Sequence, residues 1–229
     1  MSEIGEIYEN LRNISVKFNF DGVPALRTQI EQGAYADVLV SANLKHMNAL
    51  QSEGFIDNQT VKIFTRNKVA IIVPNGNPAN ITGLGDLAVP GVKILMGTKE
   101  LPIGDYALQV LDKLAADPEY GPAFKESVLA NVVSLETTVN RVVSKVALGE
   151  VDAGFAFISD VSPQMVGKIT RIPIPDKYNA EGDFPVGILL QSKYPVEAQA
   201  FIDVLMSNDG QAILDKYGFI PWMKKAGEK

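Results

Sequence analysis

The chain of 229 residues contains no cysteine, one histidine (His46) and one tryptophan. Thiol catalysis, disulfides and thiolate metal sites are therefore excluded, a His-rich metal centre is impossible, and any Ser-His-Asp triad would have to use His46. No apolar run is long enough to cross a bilayer. No block of basic residues interleaves with aromatics, and 21 Lys+Arg against 27 Asp+Glu leave a net charge of -6, so nucleic acid is not an expected partner. The opening MSEIGEIYENL lacks the apolar centre of a signal peptide and reads as mid-helix. On that reading either the protein stays in the cytoplasm or a natural leader is missing.

With 46% hydrophobic and 21% charged residues, the composition is that of a folded globular chain with room for one large or two small cores. Apolar spacing predicts helices over Ile4–Leu11, Ala25–Gln32, Leu44–Ser52, Val139–Leu148, Pro195–Ser207 and Asp209–Tyr217, and one opening at Pro102. Strands are expected at Ile14–Phe20, Asp37–Val40, Val69–Val73, Val92–Met96, Val132–Ser134, Ala153–Phe157 and Val186–Gln191. The alternation points to an α/β protein with largely parallel sheets. One echo stands out: Val23, Gly33 and Ser41 each lie 116 positions before Val139, Gly149 and Phe157, as expected of two lobes built on one unit.

Most chemical motifs are better read as ordinary structure. Gly83-Leu84-Gly85-Asp86-Leu87-Ala88 matches a dinucleotide pattern, but Asn77-Pro78-Ala79-Asn80 before it cannot be the required strand, so a turn before a short helix is expected. His46, between Lys45 and Asn48, is expected on a solvated helix face. Asp105, Asp152 and Asp160 are candidate acid/base groups at positions where Asp also caps helices and ends strands. Lys224, Lys225 and Lys229 form a basic tail. Three helix starts remain: Gly22-Val23-Pro24, Ile103-Gly104-Asp105 and Thr137-Thr138-Val139. A helix N-terminus carries roughly half a positive charge and up to four free N–H groups, so starts converging on one place would hold an anion without Lys or Arg. Facing water, they would be ordinary starts.

At LPIGDYALQVL the sequence resembles the substrate-binding proteins of molybdate-uptake ABC transporters, the ModA family, which commonly carries Pro-x-Gly-x-Tyr-Ala here. LRTQIEQGAYADVLVSANLKHMNAL, GLGDLAVPGVKILMG, ALGEVDAGFAFISDV and ILDKYGFIPW are similar to further blocks of that family. The resemblance implies a two-lobe periplasmic-binding-protein type II fold, with mixed, mostly parallel sheets, flanking helices and a cleft between lobes. The lobes would be 1–75 with 188–229, and 76–187. It implies a solute-binding protein, not an enzyme, that captures molybdate or tungstate for a membrane permease. It also implies a monomer with no cofactor and no bound metal of its own, located in the periplasm or outside the cell, either free or lipid-anchored. The anion site carried over from the family comprises Gly22, Val23, Ile103, Val139 and Phe157, with main-chain N–H donors at Ile103 and Val139.

Three departures accompany the resemblance. Asp21-Gly22-Val23 stands where the family often has Ser-Ser, and Phe157 stands where it often has a Tyr whose hydroxyl reaches the anion. The family's first strand and its Ala-Ser-Leu loop would precede Glu3 and are not in this sequence. Fewer donors then converge, implying weaker binding or another anion preference. A second reading of the same fold is the sensing domain of a regulator; an enzyme using Asp105 or Asp152 would need two carboxylates facing each other.

Overall fold

The structure, a computed structural model, describes residues 1–162, 165 and 167–222; the basic tail at Lys224, Lys225 and Lys229 lies outside them. The chain forms two compact units, one of Met1–Asn67 with Gly182–Lys229 and the other of Lys68–Glu181.

In the first unit, α1 (Ser2–Arg12) buries Ile4, Gly5 and Tyr8 along one face and ends at Asn13 in the left-handed region, φ 55°. Its inner face is fastened to α7 (Pro195–Met206): the Tyr8 hydroxyl donates to the Glu197 carbonyl at 3.1 Å, and Arg12 pairs with the Glu197 carboxylate at 2.9 Å. The alternating segment Ile14–Phe20 is extended but forms no strand. Phe18 approaches α1 and Phe201 of α7 instead, while Ile14 and Phe20 stay exposed. Phe18 packs over Gly5, where a Cβ would come within 2.7 Å of the ring, and it stacks on Phe20 with centroids 5.3 Å apart. The Val16 N–H donates to the Glu9 carboxylate at 2.6 Å rather than to a neighbouring strand. Alternation fixes which face is apolar but supplies no ladder partner.

Helix α2 (Val23–Glu31) is followed by β1 (Val38–Val40), which pairs antiparallel with β7 (Glu181–Ile188). Helix α3 (Leu44–Ser52) opens on Asn43, whose side chain accepts from the His46 N–H at 3.2 Å. His46 is buried with Met47 and Leu50 on one helical face, which corrects the solvated placement. Lys45 and Asn48 mark the outer face, and His46 takes the next position round the helix. Ile30, Leu39, Met47, Leu50, Ile56 and Leu189 form a common core. The first part of β2 (Lys62–Pro74) pairs with β8 (Ile220–Pro221), and α8 (Asn208–Lys216) starts with a Ser207 cap that accepts from the Gly210 N–H.

In the second unit, the later part of β2 lies between β5 (Ala153–Phe157) and β6 (Ile169–Pro173), antiparallel to both; β3 (Ile94–Gly97) runs parallel to β5 and to β4 (Val132–Glu136). The expectation of largely parallel sheets is thus met only in β4–β3–β5. A parallel pair needs a crossover, and helices intervene here: α4 (Pro102–Ala116) and α5 (Ala123–Ala130) before β4, and α6 (Val139–Ala147) before β5. Ile72, Leu95, Val142, Val143, Val146 and Ala156 share the core beneath α6. The glycine-rich loop is a turn into a 3₁₀ helix at Leu84–Ala88, as its composition predicts. Asp86 accepts from the Thr82 and Gly83 N–H groups, which hold its carboxyl below the usual range. Asn179, buried, pairs with both main-chain groups of Val69: its Oδ1 accepts from the N–H at 3.0 Å and its Nδ2 donates to the carbonyl at 2.8 Å.

Candidate functional site

The turn between β3 and α4 is built by close approach. Leu101 donates to the Thr98 carbonyl at 3.0 Å, and the Gly104 and Asp105 N–H groups both reach the Leu101 carbonyl, at 2.9 and 3.1 Å. A Cβ on Gly104 would fall 2.1 Å from the Thr98 oxygen and 2.5 Å from that of Gly97, so only glycine lets the helix start this close to the strand end. Leu101 provides no side-chain cap, and Pro102 has no N–H to satisfy. Among the described residues nothing accepts from the Ile103 N–H.

The start of α6 has the same property. Thr138 gives no side-chain cap, Arg141 donates to the Thr138 carbonyl at 3.2 Å, and the Val139 N–H has no acceptor among the described residues. In the first unit, α2 opens on Gly22 with no side-chain cap, and Ala25 and Leu26 donate to the Gly22 carbonyl. Pro24 has no N–H, and the Val23 N–H again finds no acceptor among the described residues. Gly22 differs from the expectation. Its N–H donates to the carboxylate of Asp21 at 2.7 Å, so the side chain that replaces the family's hydroxyl consumes a donor as well as adding a negative charge.

The first turns of α2 and α6 contain no acidic residue. That of α4 contains Asp105, whose carboxylate accepts from Gln109 at 3.0 Å. The starts of α2 and α6 therefore present an N-terminal partial charge that their own helices leave uncompensated, whereas Asp105 partly offsets that of α4.

Phe157 ends β5 with its ring buried against Tyr106 of α4, centroids 5.7 Å apart and planes at 66°. Its N–H donates to the carboxylate of Asp160 at 2.8 Å, and burial pushes the Asp160 carboxyl up to about 7 against the pull of that hydrogen bond. Phe157 thus supplies a packing surface, as the sequence predicts for a phenylalanine there.

Within the second unit these parts are tied together. The Thr98 N–H donates to the Glu136 carbonyl at 2.9 Å, linking the turn before α4 to the end of the strand before α6, and Tyr106 links α4 to Phe157. Gly22 and Val23 belong to the first unit. Of the residues around these starts, Glu136 carries no signal in the sequence, Tyr106 stands in the Pro-x-Gly-x-Tyr-Ala segment without an assigned role, and Asp160, an acid/base candidate, instead accepts from the Phe157 N–H. The acid/base candidates do not pair: Asp152 accepts from the Lys93 N–H and Asp160 from that of Phe157. Among the described residues no group of three or more His, Cys, Asp or Glu could hold a metal ion, and no helix is long and apolar enough to cross a membrane. The chemistry on offer at these helix starts is main-chain hydrogen-bond donation.

A sequence profile described as "Bacterial extracellular solute-binding protein" matches residues 1–220. The chain belongs to this family. Among its relatives, the molybdate-binding protein ModA of Mycobacterium tuberculosis strain H37Rv is 28% identical over 219 residues, covering 95% of this chain and 78% of that protein. A putative ABC transporter substrate-binding lipoprotein, YvgL of Bacillus subtilis, is 29% identical over 225 residues, covering 96% of this chain and 81% of its own length. The solved substrate-binding domain of a putative molybdenum ABC transporter from Clostridium difficile superposes with a TM-score of 0.71 at 28% identity, covering 96% of this chain and 93% of that one. The resemblance read at LPIGDYALQVL therefore extends over nearly the whole solute-binding chain, and the named relatives are transport components rather than enzymes.

Proposed function

We propose that this solute-binding protein captures a tetrahedral oxyanion, molybdate or tungstate, and delivers it to the permease of an ABC transporter. The observation that carries the reading is the set of helix starts whose first N–H groups find no acceptor among the described residues, one of them, at Ile103, inside the LPIGDYALQVL segment that resembles the molybdate-binding family. The donors we assign are the main-chain N–H groups of Val23 in one unit and of Ile103 and Val139 in the other. The Gly22 backbone allows close approach, and Phe157 with Tyr106 gives an apolar wall. Charge-assisted hydrogen bonds of roughly 1.5 to 3 kcal/mol each work against the desolvation of a dianion, which about five would offset; three assigned donors therefore imply weaker binding than a full donor set would give. The working location is the periplasm or the outer face of the cell, with a lipid anchor in some settings, and the working state is a monomer.

Isothermal titration against molybdate, tungstate, sulfate and phosphate tests the proposal. Saturable heat with molybdate or tungstate, stronger than with sulfate or phosphate, is the expected result. A flat titration with all four anions would overturn it.

A further inference from the structure

Glu136 occupies an unusual position for a carboxylate. It is the last residue of β4, buried to 4% exposure, and it immediately precedes Thr137-Thr138-Val139. Its side chain accepts from Lys145 of α6 at 2.5 Å and from the Ser134 hydroxyl at 3.0 Å. The hydrogen bond from Lys145, with Ser134 and the nearby charge of Arg141 in support, holds its carboxyl below the usual range. Its main-chain oxygen accepts from Thr98, whose own carbonyl takes the Leu101 N–H in the turn leading to Ile103. One residue is therefore bonded through its main chain to the turn before α4 and through its side chain to the body of α6.

An ionised, buried group is costly unless it is paired and hydrogen-bonded, and this one lies beside a helix start with an unclaimed N–H. Without Lys145 and Arg141 its charge would oppose an anion at Val139. With them, the carboxylate is neutralised and its geometry fixed from two sides. Asn140, Arg141, Ser144 and Lys145 line an open depression over Glu136, so the pair is reachable by salt.

We infer that Glu136, locked by Lys145, is a positioning residue for oxyanion binding, holding the Ile103 and Val139 turns in the relative placement that the ligand requires. The inference rests on the function proposed above. Three variants test it, each titrated with molybdate and tungstate and followed by hydrogen exchange at the Thr98 and Leu101 amides, both hydrogen-bonded in the turn before α4. Glu136→Ala, which loses both side-chain bonds, is expected to weaken binding about tenfold or more, and Lys145→Met about three- to tenfold. Glu136→Gln, which keeps an acceptor toward Ser134 and Lys145, recovers part of the loss. Faster exchange at Thr98 and Leu101 accompanies the weakening. Lys125→Ala breaks a surface pair with Asp112 elsewhere in the same unit; it controls for stability and leaves affinity unchanged.

If Lys145→Met and Glu136→Gln bind as the wild type does, with unchanged exchange at both amides, the inference is overturned, even if Glu136→Ala fails to fold. It is also overturned if Lys125→Ala lowers affinity as much as they do. Absence of binding by the wild-type protein itself would instead overturn the function on which the inference rests.

Discussion

Two stretches of the chain have one local design in two settings. Helix α2 and helix α6 each run nine residues, and each ends in a turn centred on a left-handed glycine, Gly33 at φ 90° or Gly149 at φ 72°. The bonds correspond one for one. Gln32, Gly33 and Ala34 donate to Thr28, Ile30 and Gln29; Leu148, Gly149 and Glu150 donate to Ser144, Val146 and Lys145. A strand follows in both. The fronts differ: Asp21 folds back onto the Gly22 N–H, whereas Thr138 leaves the start of α6 open and Glu136 behind it is neutralised by Lys145. The strands differ too, since β5 is buried throughout between β2 and β3 while β1 is only partly buried. The same helix ending can therefore be reused while the opposite end is tuned independently for charge.

The largest test of that contrast is at the start of α4. Gly104→Ala should cost about 3 kcal/mol or more, measured by urea unfolding, because the added carbon meets main-chain oxygens that cannot move away. A loss below about 1 kcal/mol would show that the turn relaxes easily.

The strand ends give a second test. In the first unit the buried Ser41 hydroxyl donates to the Asn43 carbonyl, an interaction without a titrating group; in the second, Asp160 does the corresponding work for Phe157. Because the folded-state pKa of Asp160 is raised from 3.8 to about 7, the folded protein binds this proton more tightly than the unfolded chain. Its contribution to stability is complete below pH 4 and is lost as pH rises to about 7. Asp160→Asn should flatten that part of the stability profile in urea unfolding at a series of pH values, and an unchanged slope would refute the assignment.

The helix endings provide a matched pair. No atom lies within 4 Å of a Cβ added at Gly33 or Gly149, so Gly33→Ala and Gly149→Ala should each cost about 1–2 kcal/mol from backbone strain alone. Their thermal shifts should agree; a much larger loss at Gly149 would mean that the buried strand after it magnifies the strain. The smallest effect belongs to Asp21→Asn. It keeps an acceptor for Gly22 and removes a charge, and should raise oxyanion affinity about three- to tenfold in calorimetry.

Much of the fold was legible because helices announce themselves through apolar spacing and glycine stops: α3 and β5 match their expected bounds, and α2 and α6 lie close to theirs. Helix α5 escaped because it buries only Phe124 and Val128 and begins without a side-chain cap. Strand β6 escaped because its outer residues are exposed. Ile14–Phe20 shows the converse, an alternating pattern in which Phe18 packs on helices while Ile14 and Phe20 stay exposed. The three helix starts were visible as positions lacking a side-chain cap. What each flanking carboxylate does was not, since Asp21, Glu136 and Asp160 differ in their partners rather than in their chemistry, and those partners lie as close as the next residue or nine positions away.

The amide of Asn179 also governs how this chain can vary in length. By engaging both main-chain groups of Val69, just after the chain first passes from one unit to the other, it fixes the spacing of the return segment against the outgoing one. A residue inserted between Ile174 and Asn179 would pull the amide out of register, whereas the loop from Asn75 to Thr82 could lengthen without disturbing that spacing. Length variation among relatives of this protein should therefore collect in that loop and avoid the return segment.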